Sequence, residues 1–298
     1  MESSPLVSVV VVCCNQEQFI NEAIESVINQ TYVNFECLIV DDGSSDRTAS
    51  ICKQYVEQDK RIHYFHQENS GVSAARNLGF SLSKGVFVQF LDGDDYLLPE
   101  KIGIQVELMK RDETCDVSYT NHTYYWQHSN TFVQYTFEEL GIDPLLQLLF
   151  KYDKGVSIPI HSALFRKSIW TSGEFPFPSD YKYRYEDWVF WILIALRRTR
   201  FRFINLDLVV YRMHGKNFVE NVANVAFHSL QAIIYISKII PSEHVSRFQE
   251  ERVLHVVEKH ILHHRKGSMR KKRTLWAVIR FKSIIRKVMN LRGSDVFR

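Results

Sequence analysis

The sequence lacks a long apolar run and contains few cysteines. Its longest apolar run, VFWILIAL at residues 189–196, is far shorter than the roughly 18 residues that a membrane helix needs. No basic region precedes the first apolar stretch, which argues against a secretory signal. The five cysteines are odd in number and show no metal-binding spacing. We therefore expect reduced thiols in the core of a cytoplasmic protein.

Charge is distributed unevenly along the chain. Residues 265–298 hold 12 Lys and Arg and one acidic residue, a net charge of +11. The other 264 residues hold 25 basic and 33 acidic residues, a net charge of −8. An acidic body with a basic tail predicts that the tail meets an anionic surface.

Apolar runs alternate with helical patterns over the first 110 residues. This alternation predicts an α/β fold with a mostly parallel, doubly wound sheet and helices on both faces. Beyond residue 110 the alternation weakens. There we predict a helix over 137–150, broken near Pro144, a helix over 186–198 and helices from residue 217 onward. The strands predicted for the first part are 7–14, 35–40, 61–66 and 86–91.

Polar clusters follow each of these four strands, and the strongest is DGDD. Ligands of doubly wound sheets bind at this edge, beyond the carboxyl ends of the strands. Asp92, Asp94 and Asp95 fall within four positions, and two carboxylates about 5 Å apart repel by roughly 3 kcal/mol at an effective dielectric near 20. A Mg²⁺ or Mn²⁺ ion shared with a diphosphate would offset that repulsion. The alternative is a solvated turn.

Four other charged residues each leave two interpretations open. Asp42, in DDGSSD, would accept a hydrogen bond from a base or ribose, or belong only to a turn. Arg76 would pair with phosphate or with the DGDD carboxylates, or form a surface ion pair. Glu186 and Asp187 open a helix, where negative charge is favourable. Alternatively, one of them takes a proton from an acceptor hydroxyl.

Taken in order and spacing, several stretches resemble the family 2 glycosyltransferases. They include VDDGSSDRT, NSGVSAARNLG, FLDGDDYLLPEKI, RYEDWVFWILIAL and VVYRMHGKN, and the resemblance runs from Val7 to about Asn217. It implies a GT-A type, Rossmann-like fold and metal-dependent, inverting sugar transfer. The domains we expect are a glycosyltransferase domain at 1–216, with a nucleotide-sugar half at 1–110 and an acceptor half at 111–216, and a helical basic extension at 217–298.

The resemblance also implies roles for individual residues. Asp94 would bind the divalent metal, Mn²⁺ or Mg²⁺, directly, with Asp92 nearer the ribose and sugar. Asp187 would be the catalytic base, with Glu186 placing the acceptor. Cys13 stands where the family usually has Thr or Pro, so the resemblance is a weaker guide to which nucleobase the donor carries. The residues expected at the nucleotide sugar are Cys13, Asn15, Asp42 (on the base, typically uracil), Asn69, Arg76, Asp92, Asp94, and Arg212 and His214 (over the diphosphate).

These roles describe an inverting enzyme that moves a sugar from a nucleotide-diphosphate sugar, expected to be UDP-linked, to a hydroxyl of a glycan or lipid-linked acceptor. The expected process is cell-surface polysaccharide synthesis. One alternative is a non-catalytic scaffold that binds nucleotide sugars, although a scaffold would not need Asp187. Another is a nucleotidyltransferase, although those enzymes commonly carry a glycine-rich loop with Lys or Arg where this chain has CNQEQF.

The basic tail contains one amphipathic stretch. Over residues 278–291, apolar side chains fall on one side of a helix and basic side chains on the other. One interpretation is a helix in the plane of an anionic membrane, which would make the protein peripheral on the cytoplasmic face. The alternative is a helix docked on the body or on another subunit of a homo-oligomer. Nucleic acid is not expected, because no recognition motif accompanies the tail.

Overall fold

The fold is described by a computed structural model over residues 4–136, 138–215 and 222–257. Within these residues, the strands form a single curled sheet with helices on its faces. The predicted amphipathic stretch at 278–291 lies outside the described residues. No helix in the described part of the chain is long and apolar enough to cross a membrane.

The first half of the sheet is parallel, with strand order β3-β2-β1-β4. All seven residues of β1 are buried, because helices cover both faces of the sheet. Val10 packs with α3 on one face, and Val9 packs with α1 on the other. The predicted doubly wound arrangement is therefore confirmed. The elements are β1 (Val7–Cys13), α1 (Ile20–Ile28), β2 (Phe35–Asp42), α2 (Thr48–Gln58), β3 (Ile62–Gln67), α3 (Val72–Leu82) and β4 (Phe87–Asp92).

Beyond β4 the sheet becomes mixed and continues in the order β8-β6-β9-β5. Strand β8 runs antiparallel to β4 and β6, whereas β6 and β9 are parallel to each other. Strands β5 and β7 add short antiparallel pairs to β9 and β6. These elements are β5 (Tyr96–Leu97), α4 (Lys101–Arg111), β6 (Val117–Trp126), β7 (Thr131–Tyr135), α5 (Pro144–Phe150), β8 (Ala163–Arg166), α6 (Glu186–Leu196) and β9 (Phe201–Met213).

The helix predicted over 137–150 was wrong in its first half. Residues 138–143 are not helical, and α5 begins at Pro144. Proline suits the first turn, because its missing N–H would have no helical partner there. Asp143 caps the helix, since its Oδ1 accepts a hydrogen bond from the Leu146 amide at 3.0 Å.

Two further helices, α7 (Val222–Ile239) and α8 (Ser242–Val256), belong to the predicted extension. Their buried side chains join the hydrophobic core that surrounds Trp188 on α6. Ile233 and Phe248 are fully buried there. The described part of the extension therefore docks on the body of the molecule.

Gly79 allows α3 to pack closely on β1. A Cβ atom added at Gly79 would lie 2.2 Å from Val10 Cγ1 and 3.2 Å from Val40 Cγ2. We expect Gly79→Ala to lower the free energy of unfolding by about 1–3 kcal/mol, the usual cost of overpacking a core.

The matched control is Gly103→Ala, also inside a helix. There an added Cβ would meet only ordinary contacts, with Thr31 Oγ1 at 3.5 Å as the nearest atom. This variant should be neutral or more stable by up to about 1 kcal/mol, because alanine favours a helix over glycine. Urea denaturation of both variants tests the pair, and equal effects would contradict the close packing of α3.

Candidate active site

A cleft of about 580 Å³ opens at the carboxyl edge of the sheet. The end of β4 forms one side of it and the first turn of α6 forms the other. Its walls therefore combine the DGDD cluster with the acidic pair that opens α6. The predicted site residues that line the cleft are Asn15, Asp92, Asp94, Glu186, Asp187 and His214.

The DGDD loop is held against β1 by close backbone packing. The Gly93 amide donates to the Val12 carbonyl at 2.8 Å. A Cβ atom at Gly93 would lie 2.2 Å from Gln16 Oε1 and 3.0 Å from Cys13 Cβ. Only glycine fits this approach without displacing its neighbours. The loop consequently carries the carboxylates on both sides of Gly93 to the cleft.

Arg76 is buried beneath the cleft and pairs with carboxylates of both acidic walls. Its Nη2 donates to the two carboxylate oxygens of Asp92 at 2.8 and 3.0 Å. Its Nη1 donates to Asp187 at 2.9 Å and to Glu186 at 3.4 Å. Burial alone would lower the pKa of Arg76, but these three carboxylates raise it. Pairing with the DGDD cluster is thus confirmed, in a buried rather than a surface position.

Asp187 has the pKa expected of a general base. The pKa of its carboxyl group is raised to about 7. Burial is the largest cause, the Arg76 cation opposes it, and the carboxylates of Glu186 and Asp92 add to the rise. A base with a pKa near neutrality can accept a proton and release it again at physiological pH. Tyr185, just before this pair, has a left-handed backbone with φ of 67°. This conformation stands directly before the first turn of α6.

The end of β9 is tied to the DGDD loop. The Arg212 Nε donates to the Asp94 carbonyl at 2.8 Å, and the Arg212 amide donates to Asp95 Oδ1 at 2.7 Å. His214 Nε2 lies 3.0 Å from Asp94 Oδ2, and its ring stacks on Phe19 at 4.7 Å. Arg212 itself lies behind the cleft wall, whereas His214 is part of it.

The remaining predicted residues lie at the same sheet edge but do not line the cleft. The Asp42 carboxylate accepts hydrogen bonds from the Ser70 and Gly71 amides, both at 2.8 Å, and from the Gln67 side chain at 2.7 Å. Asn69 Nδ2 donates to the Asp42 carbonyl at 3.0 Å. The Cys13 thiol is buried and turned toward the Val40 carbonyl. Their contact with a nucleotide stays a prediction.

Two sets of donor atoms could hold a divalent cation. Ligand atoms of Asp92, Asp95 and His161 lie within 4.8 Å of one another, and burial lowers the pKa of His161, which keeps its ring neutral. However, Asp95 already accepts the Arg212 amide and is almost completely buried. Asp94 is more exposed and faces the cleft. Its oxygens suit a hard cation that is shared with a ligand, so Asp94 with Asp92 fits such an ion better.

Several cleft residues were missed in the sequence. Asp95 was visible as the third carboxylate of DGDD, but nothing distinguished it from its neighbours. The others either come from a segment without a recognisable motif or lie inside the RYEDWVFWILIAL and VVYRMHGKN stretches, where no role was assigned to them, and long-range packing brings them to the cleft. They include Tyr152, Asp153, Arg184, Tyr185 and Tyr211.

The fold is that of GT-A glycosyltransferases. Staphylococcus aureus TarS 1–349 superposes with a TM-score of 0.63 at 18% identity, covering 85% of this chain and 72% of that chain. A mannosyltransferase from Pyrobaculum calidifontis superposes with a TM-score of 0.61 at 17% identity, covering 99% and 89%.

The sequence comparisons assign the family. The model of Glycosyl transferase family 2 matches residues 8–173. An uncharacterised glycosyltransferase of Rickettsia typhi is 34% identical over 228 residues, which are 74% of this chain and 68% of that protein. The chain belongs to glycosyl transferase family 2. This assignment disfavours the nucleotidyltransferase alternative.

Other relatives share only part of their length with this chain. Four curated relatives with 40% to 49% identity match over 30% to 35% of this chain. The matched stretch amounts to only 13% to 27% of those proteins. Each of them is therefore much longer than the segment it shares.

The raised pKa of Asp187 predicts a pH-dependent contribution to stability. A carboxyl group whose pKa rises on folding holds its proton more tightly in the folded state, so the stability it contributes at low pH is lost as the pH rises. For Asp187 this window runs from about 4 in the unfolded chain to about 7 in the folded chain. The slope is at most about 1.4 kcal/mol per pH unit.

We expect the parent to lose stability relative to Asp187→Asn as the pH rises through this window, with no further change above it. Urea denaturation of both proteins at a series of pH values measures the difference. Parallel curves would show that Asp187 titrates like an ordinary carboxyl group.

Proposed function

We propose that this glycosyltransferase moves a sugar, with inversion, from a UDP-linked sugar to a hydroxyl group of a glycan or lipid-linked acceptor. The process we propose is cell-surface polysaccharide synthesis. One observation carries the proposal: Arg76 pairs with Asp92 of the DGDD loop and with Asp187 of α6 across one cleft. Groups that suit the leaving diphosphate and the incoming hydroxyl therefore face each other.

The structural neighbours support a nucleotide-sugar donor. TarS 1–349 was solved in complex with UDP-GlcNAc, and the P. calidifontis mannosyltransferase was solved with GDP-Man and Mn²⁺. We assign the donor site of this chain to the carboxyl edge of its sheet, between the DGDD loop and the loop that follows β1. We propose a uridine diphosphate because Asp42 matches the family residue that bonds the base, which is typically uracil.

The carboxylates of Asp94 and Asp92 would hold Mn²⁺ or Mg²⁺, since both ions take oxygen ligands. Such an ion, when bound, supplies a Lewis acid that stabilises negative charge on a leaving diphosphate. His214 lies beside Asp94 and orients its carboxylate. Arg212 fixes the backbone of the same loop.

The residues that act on the acceptor lie at the start of α6. Asp187 takes the proton of the acceptor hydroxyl while the oxygen attacks the anomeric carbon. The bond to the diphosphate breaks on the opposite face of the sugar. A single displacement with one base carboxylate inverts the anomeric centre, by the geometric argument that applies to glycosidases. Glu186, beside the base, would orient the acceptor.

We also propose that the basic tail brings the protein to a membrane surface. Its net charge of +11 over residues 265–298 would attract the chain to anionic lipids. Lipid-linked acceptors lie at such a surface. This part of the proposal rests on the sequence alone.

Asp187→Asn tests the catalytic base. Asparagine keeps the size of the side chain and most of its hydrogen bonding but cannot accept the proton. Transfer should fall by about 10²-fold or more, whereas affinity for the nucleotide sugar should change little. The donor is the one that stabilises the protein most in a thermal-shift screen of nucleotide sugars with Mn²⁺. Product formation and hydrolysis of that donor are then measured.

The matched control for this test is Glu174→Gln. Glu174 lies in the segment before α6, but its carboxylate pairs with Arg197 at 2.9 Å, at the far end of that helix. The control should keep full activity. An active Asp187→Asn variant would remove Asp187 from the mechanism.

Asp94→Ala tests the metal. This variant should lose the thermal stabilisation that UDP gives in the presence of Mn²⁺, because the ion would no longer be held against the diphosphate. Glu113→Ala, which removes an exposed carboxylate elsewhere, should keep it. Stabilisation of Asp94→Ala by UDP and Mn²⁺ equal to that of the parent would place the metal site on other residues.

A further inference from the structure

We propose that Arg252 on α8 is a positioning residue for the catalytic pair Glu186 and Asp187, acting through Tyr152 and Trp188. The inference rests on the proposed function, because it takes Asp187 as the base. It would make the C-terminal helices part of the catalytic unit rather than an appendage to it.

Arg252 completes a stack of three side chains. Its guanidinium carbon lies 4.4 Å from the centre of the Trp188 ring. Its Nη1 donates to the Tyr152 carbonyl at 2.7 Å. The Tyr152 ring stacks on Trp188 with 5.4 Å between centroids and 10° between planes. Arg252 therefore holds both aromatic residues by separate contacts.

Both residues that Arg252 holds adjoin the active site: Tyr152 lines the cleft, and Trp188 is the buried neighbour of Asp187. Trp188 follows Asp187 directly in the first turn of α6, and its Nε1 donates to the Leu148 carbonyl at 2.8 Å. Tyr152 lines the cleft together with Asp153, whose backbone is left-handed with φ of 61°. A shift of the stack would move the base together with the part of the cleft wall that Tyr152 and Asp153 form.

Energetics favour a functional role for Arg252. It is almost completely buried, and its hydrogen bond goes to a neutral carbonyl. Its Nε is buried without a hydrogen-bond partner in the described part of the chain. Burial lowers its pKa, although Asp153 lies near enough to oppose that shift. A buried cation without a paired carboxylate costs stability, and residues retained at such a cost are common at functional sites.

Helix α7 supports the same region from the other side. The His228 Nδ1 accepts a hydrogen bond from the Arg184 amide at 3.5 Å. This contact ties α7 to the segment directly before Glu186. Because α7 and α8 pack on each other, the helix pair holds the segments on both sides of the catalytic residues.

The experiment compares Arg252→Met and Arg252→Lys in the full-length protein. Methionine fills the space without the charge or the hydrogen bond, whereas lysine keeps the charge and can still reach the Tyr152 carbonyl. We expect kcat of Arg252→Met to fall about 10-fold or more, since small displacements of catalytic groups are expensive. The affinity for UDP with Mn²⁺ should stay within about twofold, because the donor side does not depend on the stack. Arg252→Lys should give an intermediate kcat.

Arg247→Met is the matched control. Arg247 lies on the same helix with its guanidinium carbon 4.3 Å from the Phe150 ring centre, but it is exposed and pairs with Glu251. This control should keep the parent kcat. Melting temperatures separate positioning from structure: Arg252→Met should melt within about 4 °C of the parent.

Two results would overturn the inference. One is a kcat for Arg252→Met equal to that of Arg247→Met. The other is a large drop in melting temperature with unchanged kcat per folded molecule. If Arg252→Met does not fold, a parent-like kcat for Arg252→Lys overturns it and a reduced kcat at unchanged UDP affinity supports it. An active Asp187→Asn variant would instead contradict the proposed function. Failure of the inference about Arg252 can therefore be distinguished from failure of the proposed function.

Discussion

The guanidinium of Arg76 lies within 2.9 Å of carboxylates from two distant parts of the chain, Asp92 and Asp187. Without that cation, the carboxylates at the end of β4 and at the start of α6 would repel each other across the cleft. With it, the DGDD carboxylates and the acidic pair at the start of α6 can occupy opposite walls of one site. The packing of α3 on the sheet and the surrounding core position this buried charge.

Placing Arg76 requires α3 to lie close to the sheet. Gly79 provides that approach, since any larger residue would strike Val10. Burying ionised groups costs free energy that their mutual attraction only partly offsets, so a well-packed core must compensate. The strands buried on both faces and the aromatic cluster around Trp188 supply that core. The same burial raises the pKa of Asp187 to about 7, which suits it to proton transfer.

The mixed half of the sheet and the C-terminal helices complete the cleft. Strand β9 returns beside β6 and ties Arg212 to the DGDD loop. The wall opposite that loop consists of segments held from behind by α7 and α8.

The sequence by itself determined the parallel half of the sheet, the family and four acidic residues of the cleft, Asp92, Asp94, Glu186 and Asp187. Those features depend on local periodicity and on short motifs at strand ends, which a linear pattern records. The antiparallel insertion of β8, the left-handed Tyr185 and the approach of Tyr152 to the cleft were decided only by tertiary structure. So was the engagement of the Asp42 carboxylate by the Ser70 and Gly71 amides. Each depends on residues far apart in sequence, and such contacts leave no local periodicity.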